Sequence, residues 1–173
     1  KKISLYSPRD EQDLQLVCLA TLADLMPLKD ENRILVKLGL DAMNKGKVRY
    51  GLSELFARQN MLGKHLGTTD LTWNITPVLN AGGRLGHPEK GVELFLEQDP
   101  LKRAELADQM IQFNKERKQL GVDAWPLVEK AAAESLENFN NSLVIAVDEH
   151  VHRGVTGILA TKLVQYFKVP SIV

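Results

Sequence analysis

The sequence predicts an α/β chain with a mostly helical N-terminal part, a long connector helix and a C-terminal βαβ unit of a parallel or mixed sheet. Three observations predict it. Apolar residues recur at helical spacing as far as about Glu97. A highly charged helical stretch then runs from Asp99-Pro100 to about Asn138. Beyond it the period becomes strand-like at Ser142–Asp148, helical at Gly154–Phe167 and strand-like again at Val169–Val173. Strand, helix and strand at that spacing imply parallel strands joined by a right-handed crossover.

Ser7-Pro8-Arg9-Asp10 supplies an N-cap, a first-turn proline and an acidic third residue. Leu14, Val17, Cys18, Thr21, Leu22 and Leu25 continue the helical period until Pro27. A second helix is expected after Asp30, with Ile34, Leu35, Leu38 and Met43 as its core stripe and Lys45-Gly46 as its stop. Ser53 to Met61 reads as a third helix closed by Gly63, and Leu71–Ile75 alternates like a short strand. Pro77–Gly86 reads as a glycine-rich loop, after which His87-Pro88 opens a helix to about Glu97. The stretch from Asp99 would rise by about 55–60 Å if continuous, with Gly121 and Pro126 expected to bend or break it. A helix this long and charged suits a connector between domains.

Composition excludes more than it selects. The 173 residues carry 22 Lys+Arg against 22 Asp+Glu, with 44% hydrophobic residues and one Cys. These values exclude a disordered, collagenous or disulfide-stapled chain, and no apolar run approaches the roughly 18 residues of a membrane span. A formal net charge of +0 argues against a uniformly basic nucleic-acid binder yet allows a local basic groove. With no targeting segment legible, a cytoplasmic setting is expected. The ends, Lys1-Lys2 and the apolar Val169–Val173, suggest a piece of a longer polypeptide.

Three places could carry chemistry. Asp24 stands at the C-terminal end of an apolar helix, where the helix dipole disfavours a carboxylate and a divalent cation would favour it; the alternative is a solvated surface Asp. Asn80-Ala81-Gly82-Gly83-Arg84-Leu85-Gly86 offers uncovered N–H groups at two adjacent glycines and the planar fork of Arg84, both suited to a phosphate. The alternative there is an ordinary surface loop. His150–Gly157 falls between the first strand and its helix, where α/β sheets gather ligands, and brings His152, Arg153 and Gly154 there. A His-x-His metal pair and a simple capping loop remain alternatives. Cys18 reads as a small buried hydrophobe, Lys115-Glu116-Arg117-Lys118 as a solvated helix face, and the Trp and Tyr residues as too scattered for a base-stacking platform.

Three blocks in order, Leu19–Leu40, Pro77–Gly86 and His152–Ala160, resemble RecJ-type exonucleases of the DHH phosphoesterase superfamily, over nearly the whole chain. The resemblance implies a 5′→3′ exonuclease on single-stranded DNA in repair and recombination, dependent on Mn²⁺ or Mg²⁺, with repair or recombination proteins as possible partners and no membrane. It implies residues 1–98 as the end of the DHH domain, 99–138 as the connector and 139–173 as the start of the DHH-associated domain. Asp24 matches a metal ligand, with no further catalytic residue; Asn80, Arg84, His152, Arg153 and Gly154 fall in the DNA- and phosphate-binding blocks. The sequence departs from the family in lacking an Asp-His-His segment and in having Val78 where an Arg often stands. The chain alone is therefore expected to lack nuclease activity, to bind single-stranded DNA weakly and to hold metal hardly at all. A catalytically silent DHH scaffold, or a phosphodiesterase of short oligoribonucleotides or cyclic dinucleotides, is the alternative.

Overall fold

A computed structural model describes residues 8–173, with side chains from residue 11 onward. Ser7, the expected N-cap, lies outside the described residues. The elements are α1 (Pro8–Ala23), α2 (Asp30–Asn44), α3 (Tyr50–Arg58), a single turn α4 (Thr68–Asp70), a wider π-helical turn (Leu71–Ile75), α5 (Thr76–Arg84), α6 (Glu89–Leu96), α7 (Pro100–Asn138), β1 (Val144–Ile145), α8 (Thr156–Phe167) and β2 (Ser171–Ile172). The chain is thus mostly helical with a small C-terminal strand unit, the class its periodicity predicts. It divides into two compact units, one running to Asn80 and adding Glu89–Ile111, the other made of Ala81–Pro88 and Gln112–Val173.

In the first unit α1 and α2 pack face to face. Cys18 and Leu22 on α1 are buried, as are Val36, Gly39, Ala42 and Met43 on α2. The expected α2 stripe is therefore rotated: Ile34 is exposed, and Leu35 and Leu38 are only half-buried. Gly39 explains the rotation, because its missing side chain lets α1 approach the α2 backbone. Gln15 is fully buried and satisfied, its amide donating to the Lys47 carbonyl at 2.6 Å and accepting from the Arg49 N–H at 3.0 Å. Lys45-Gly46 ends α2 as expected, with Gly46 in the left-handed region at φ 78°. The third helix starts earlier than expected, at Tyr50, and the chain leaves it through left-handed Asn60. On that helix Arg58 holds Asp108 in a two-pronged ion pair at 2.6 and 3.0 Å and donates to the Ala104 carbonyl. This ties α3 to the first turns of α7 and raises the Arg58 pKa, the Asp108 hydrogen bond contributing most.

Cys18 is wholly buried, and burial pushes its thiol up from 9.0 to about 11. Below pH 9 both folded and unfolded chains carry the thiol, so this group leaves stability unchanged. Between pH 9 and about 11 the unfolded chain ionises first, so stability falls as pH rises through that window. Cys18 is accordingly expected to react with Ellman's reagent at pH 8 only after guanidinium unfolding. Rapid reaction in the native chain would contradict its burial.

Two expectations fail for identifiable reasons. Leu71–Ile75 is a helical turn rather than a strand. In a strand Leu71, Trp73 and Ile75 would share one face, whereas Leu71 and Ile75 are buried and Trp73 is 74% exposed. The stretch Pro77–Arg84, expected as a loop, forms all of α5 after its first residue. Gly82 and Gly83 lie inside the helix, and only Gly86 takes a positive φ, of 90°.

The second unit closes around Ala124, Val128 and Ala132 of α7, Val144 and Ala146 of the first strand segment, and Val155, Leu159 and Leu163 at and within α8. Neither Gly121 nor Pro126 interrupts α7, whose 39 residues would rise by about 58 Å. The strands pair in parallel with Val144 opposite Ser171 and Ile145 opposite Ile172, joined through α8. They are much shorter than the apolar runs that predict them. Val147 and Ile172 remain exposed, so those runs exceed what two strands bury.

Candidate nucleic-acid interface

Arg84 is the last residue of α5, where a cation is favoured by the helix dipole. The helix stops in a Schellman arrangement: the His87 N–H donates to the Gly82 carbonyl at 2.8 Å, the Gly86 N–H to Gly83 at 3.3 Å, with Gly86 left-handed. The glycine pair therefore presents no open nest of N–H groups, and the expected phosphate cradle of Gly82-Gly83 is corrected to a helix end carrying one exposed arginine. What remains for an anion at this position is the Arg84 fork.

That fork is held from across the unit. Arg84 Nη1 donates to the Gly154 carbonyl at 3.1 Å. A Cβ on Gly154 would meet the Arg84 carbonyl oxygen far inside contact distance and its carbonyl carbon at 2.9 Å. Only glycine allows the β1–α8 loop to lie this close to the end of α5. The Gly154 N–H in turn donates to His152 Nδ1 at 3.0 Å. An accepting Nδ1 places the proton of the neutral imidazole on Nε2, so His152 can offer an Nε2–H donor. Arg84, Gly154 and His152, far apart in sequence, are one linked cluster.

Beside it is a groove of about 350 Å³ lined by Arg84, Gly157, Ile158, Thr161, Lys162 and Gln165. Its lining holds two cations, two neutral polar side chains and no carboxylate. Arg117, on α7, adds to the positive potential. Its guanidinium pKa is lowered, first by burial and then by the charge of Arg84. Arg117 is half-buried and donates through Nε and Nη2 to Asn114 Oδ1, at 3.2 and 3.0 Å. The solvated face expected at residues 115–118 thus turns one arginine inward. Two like charges near each other, with a lysine on the neighbouring groove, make a place where an anion is favoured.

Sequence reasoning missed Thr161, Lys162, Gln165 and Arg117. The signal was present for α8: Ile158, Thr161, Lys162 and Gln165 recur at helical spacing on the face opposite buried Leu159 and Leu163. Nothing in the local sequence singles out Arg117. Arg153 is exposed and does not line the groove. His150 is engaged locally, its backbone N–H and Nδ1 lying 2.8 and 3.1 Å from Asp148 Oδ1, the backbone bond first of all lowering the Asp148 pKa. Asn80 and Asp24 belong to the first unit and are both exposed. Asp24 follows the last residue of α1, its N–H donating to the Ala20 carbonyl at 3.0 Å. Among the described residues no three His, Cys, Asp or Glu side chains gather as a metal site. The described residues therefore do not fit a complete Mg²⁺ or Mn²⁺ site, which needs about six oxygen ligands.

No family model matches the chain. Curated relatives do. The chain is 35% identical over 172 residues to the single-stranded-DNA-specific exonuclease RecJ of Dickeya dadantii, an alignment covering 97% of this chain and 30% of the relative. It is 33% identical over 178 residues to that of Bacillus subtilis, covering 98% and 21%, and 34% identical over 163 residues to that of Escherichia coli, covering 92% and 28%. The crystal structure of RecJ from Thermus thermophilus in complex with Mg²⁺ matches with a TM-score of 0.79 at 28% identity, over 91% of this chain and 24% of that one. A crystal structure of exonuclease RecJ bound to manganese gives 0.74 at 28% identity, over 91% and 40%. The chain spans less than a third of the length of these curated relatives. In sequence and in fold, it corresponds to one segment of the RecJ-type exonucleases, the family its three ordered motif blocks resemble.

Proposed function

We propose that this chain is the substrate-holding part of a metal-dependent 5′→3′ exonuclease that hydrolyses phosphodiester bonds of single-stranded DNA. The observation that carries the proposal is the clamped Arg84, flanked by a groove with Lys162 and no carboxylate. Arg84 and Lys162 would take successive backbone phosphates, and His152 Nε2–H would donate to a phosphate oxygen. Gly154 acts through position alone. Asp24 is proposed as one hard oxygen ligand, its partners coming from other parts of the enzyme; when bound, Mn²⁺ or Mg²⁺ would activate water and neutralise charge at phosphorus. The boundaries 1–98, 99–138 and 139–173 are carried as the end of the DHH domain, the connector and the start of the DHH-associated domain. Repair or recombination proteins, and a cytoplasmic location, go with this reading; among the described residues no helix is long and apolar enough to cross a membrane.

Two measurements test the proposal. Fluorescence anisotropy of labelled oligo-dT against salt should show binding that weakens as salt rises. Arg84→Ala should flatten the log–log slope by about 0.7, the value for one phosphate contact on a single strand. An unchanged slope would remove Arg84 from the phosphate site. With Mn²⁺ and a 5′-labelled oligonucleotide the chain alone should show no degradation, because it gathers no metal site among its described residues. Robust degradation would overturn that expectation.

A further inference from the structure

Trp125 of α7 and Tyr166 of α8, which look unrelated in sequence, meet in the fold. Their ring centroids are 6.0 Å apart at an interplanar angle of 83°, and Tyr166 meets Phe167 edge-on at 4.9 Å and 81°. The Lys162 ammonium lies 3.5 Å from the centre of the Trp125 ring. Tyr166 nevertheless remains 62% exposed. It sits one turn beyond Lys162 on α8, at the edge of the face that lines the Arg84 groove.

We propose that the Trp125–Tyr166 corner is a stacking platform for bases of a single-stranded nucleic acid, placed next to the phosphate groove. The proposal rests on the phosphate-binding reading above and adds to it a site for bases. Three features support it. Tyr166 is fixed by two perpendicular rings, so stacking a base on it costs little further ordering. Lys162 belongs to both places, lining the groove and capping Trp125, so one cation links a phosphate site to an aromatic one. From Gly157 to Tyr166 the helix rises about 13 Å, along which a strand anchored at Arg84 can lay a base over Tyr166. An aromatic surface beside a basic groove is the pairing by which proteins hold single strands without reading their sequence, since every base has a π-face.

The test compares short oligo-dT with an abasic oligonucleotide of the same length and charge, by anisotropy at fixed salt. The wild-type chain should bind oligo-dT more tightly than the abasic strand. Tyr166→Ala should weaken oligo-dT binding about tenfold and leave the abasic strand within about twofold, while Tyr166→Phe keeps the wild-type preference. Circular dichroism melts confirm that the variants are folded at the assay temperature; Tyr166→Ala, which loses two edge-on ring contacts, should melt a few degrees lower. Equal binding of the two strands, or no effect of Tyr166→Ala, would overturn the stacking platform and leave the phosphate groove standing. Binding of neither strand would overturn both. A wild-type dimer in sedimentation that Tyr166→Ala dissolves would assign the corner to a second copy of this chain and refute the proposal.

Discussion

Gly154→Ala is expected to lower the melting temperature by about 2–12 °C and to weaken oligonucleotide binding about tenfold. The new Cβ would collide with the Arg84 carbonyl, a backbone group at a helix end that has no rotamer to escape into. Forced overpacking of this kind costs about 1–3 kcal/mol, and in a chain of this size each kcal/mol moves the melting temperature by about 2–4 °C. The loop and α5 must part, and the Arg84–Gly154 hydrogen bond opens with them. Arg84, no longer held, would then have to be ordered by the bound strand itself, which weakens binding. Gly121→Ala is the control. It lies within α7 with nothing near its Cβ position, so it should be neutral or stabilise by up to about 1 kcal/mol. A melting scan and an anisotropy titration on both variants decide the matter. If Gly154→Ala matched wild type in both, the contact between the loop and α5 would not be what orders Arg84.

Gly39→Ala is the second large effect, and it falls in the other unit. Its Cβ would stand 2.5 Å from the Cys18 Cβ and 2.6 Å from the Leu14 carbonyl oxygen. Neither atom can rotate away, so α1 as a whole must move off α2. The cost is placed at the upper end of the overpacking range, about 3 kcal/mol, or about 6–12 °C in melting temperature. Displacing α1 also uncovers Cys18, so native-state thiol reactivity should rise alongside the loss of stability. A variant as stable and as thiol-silent as wild type would refute the close α1–α2 crossing.

The helices were legible in the sequence because each long one alternates buried and exposed positions at the helical period. The class followed from the switch to strand-like runs at Ser142 and Val169. Boundaries were less legible where a local pattern had two readings. Leu71–Ile75 alternates in polarity, yet only burial shows that Leu71 and Ile75 share a face that Trp73 does not. The glycines of Asn80–Gly86 suggested an open loop, whereas the fold uses Gly86 alone as the left-handed stop. Pro126 did not break α7. Within the candidate site, Arg84, His152 and Gly154 were legible as motif residues, but the reason Gly154 is glycine was not. That reason is a contact between segments distant in sequence. Lys162, Arg117 and the Trp125–Tyr166 corner were hidden for the same cause, since none carries a local signature and each acquires its neighbours only through α7 and α8.

On the proposed function nucleic acid lies along one face, formed by the end of α5 and the exposed side of α8. The most direct test is an ¹⁵N-labelled titration of the chain with short oligo-dT at low salt, following backbone amides. The largest shifts should map to Arg84, Gly154, Gly157, Thr161, Lys162 and Gln165, and should fade as salt is added. Shifts gathered instead around the larger hollow of about 560 Å³ lined by Tyr50, Phe56, Leu62, Lys64 and His65, with the α8 face silent, would contradict it.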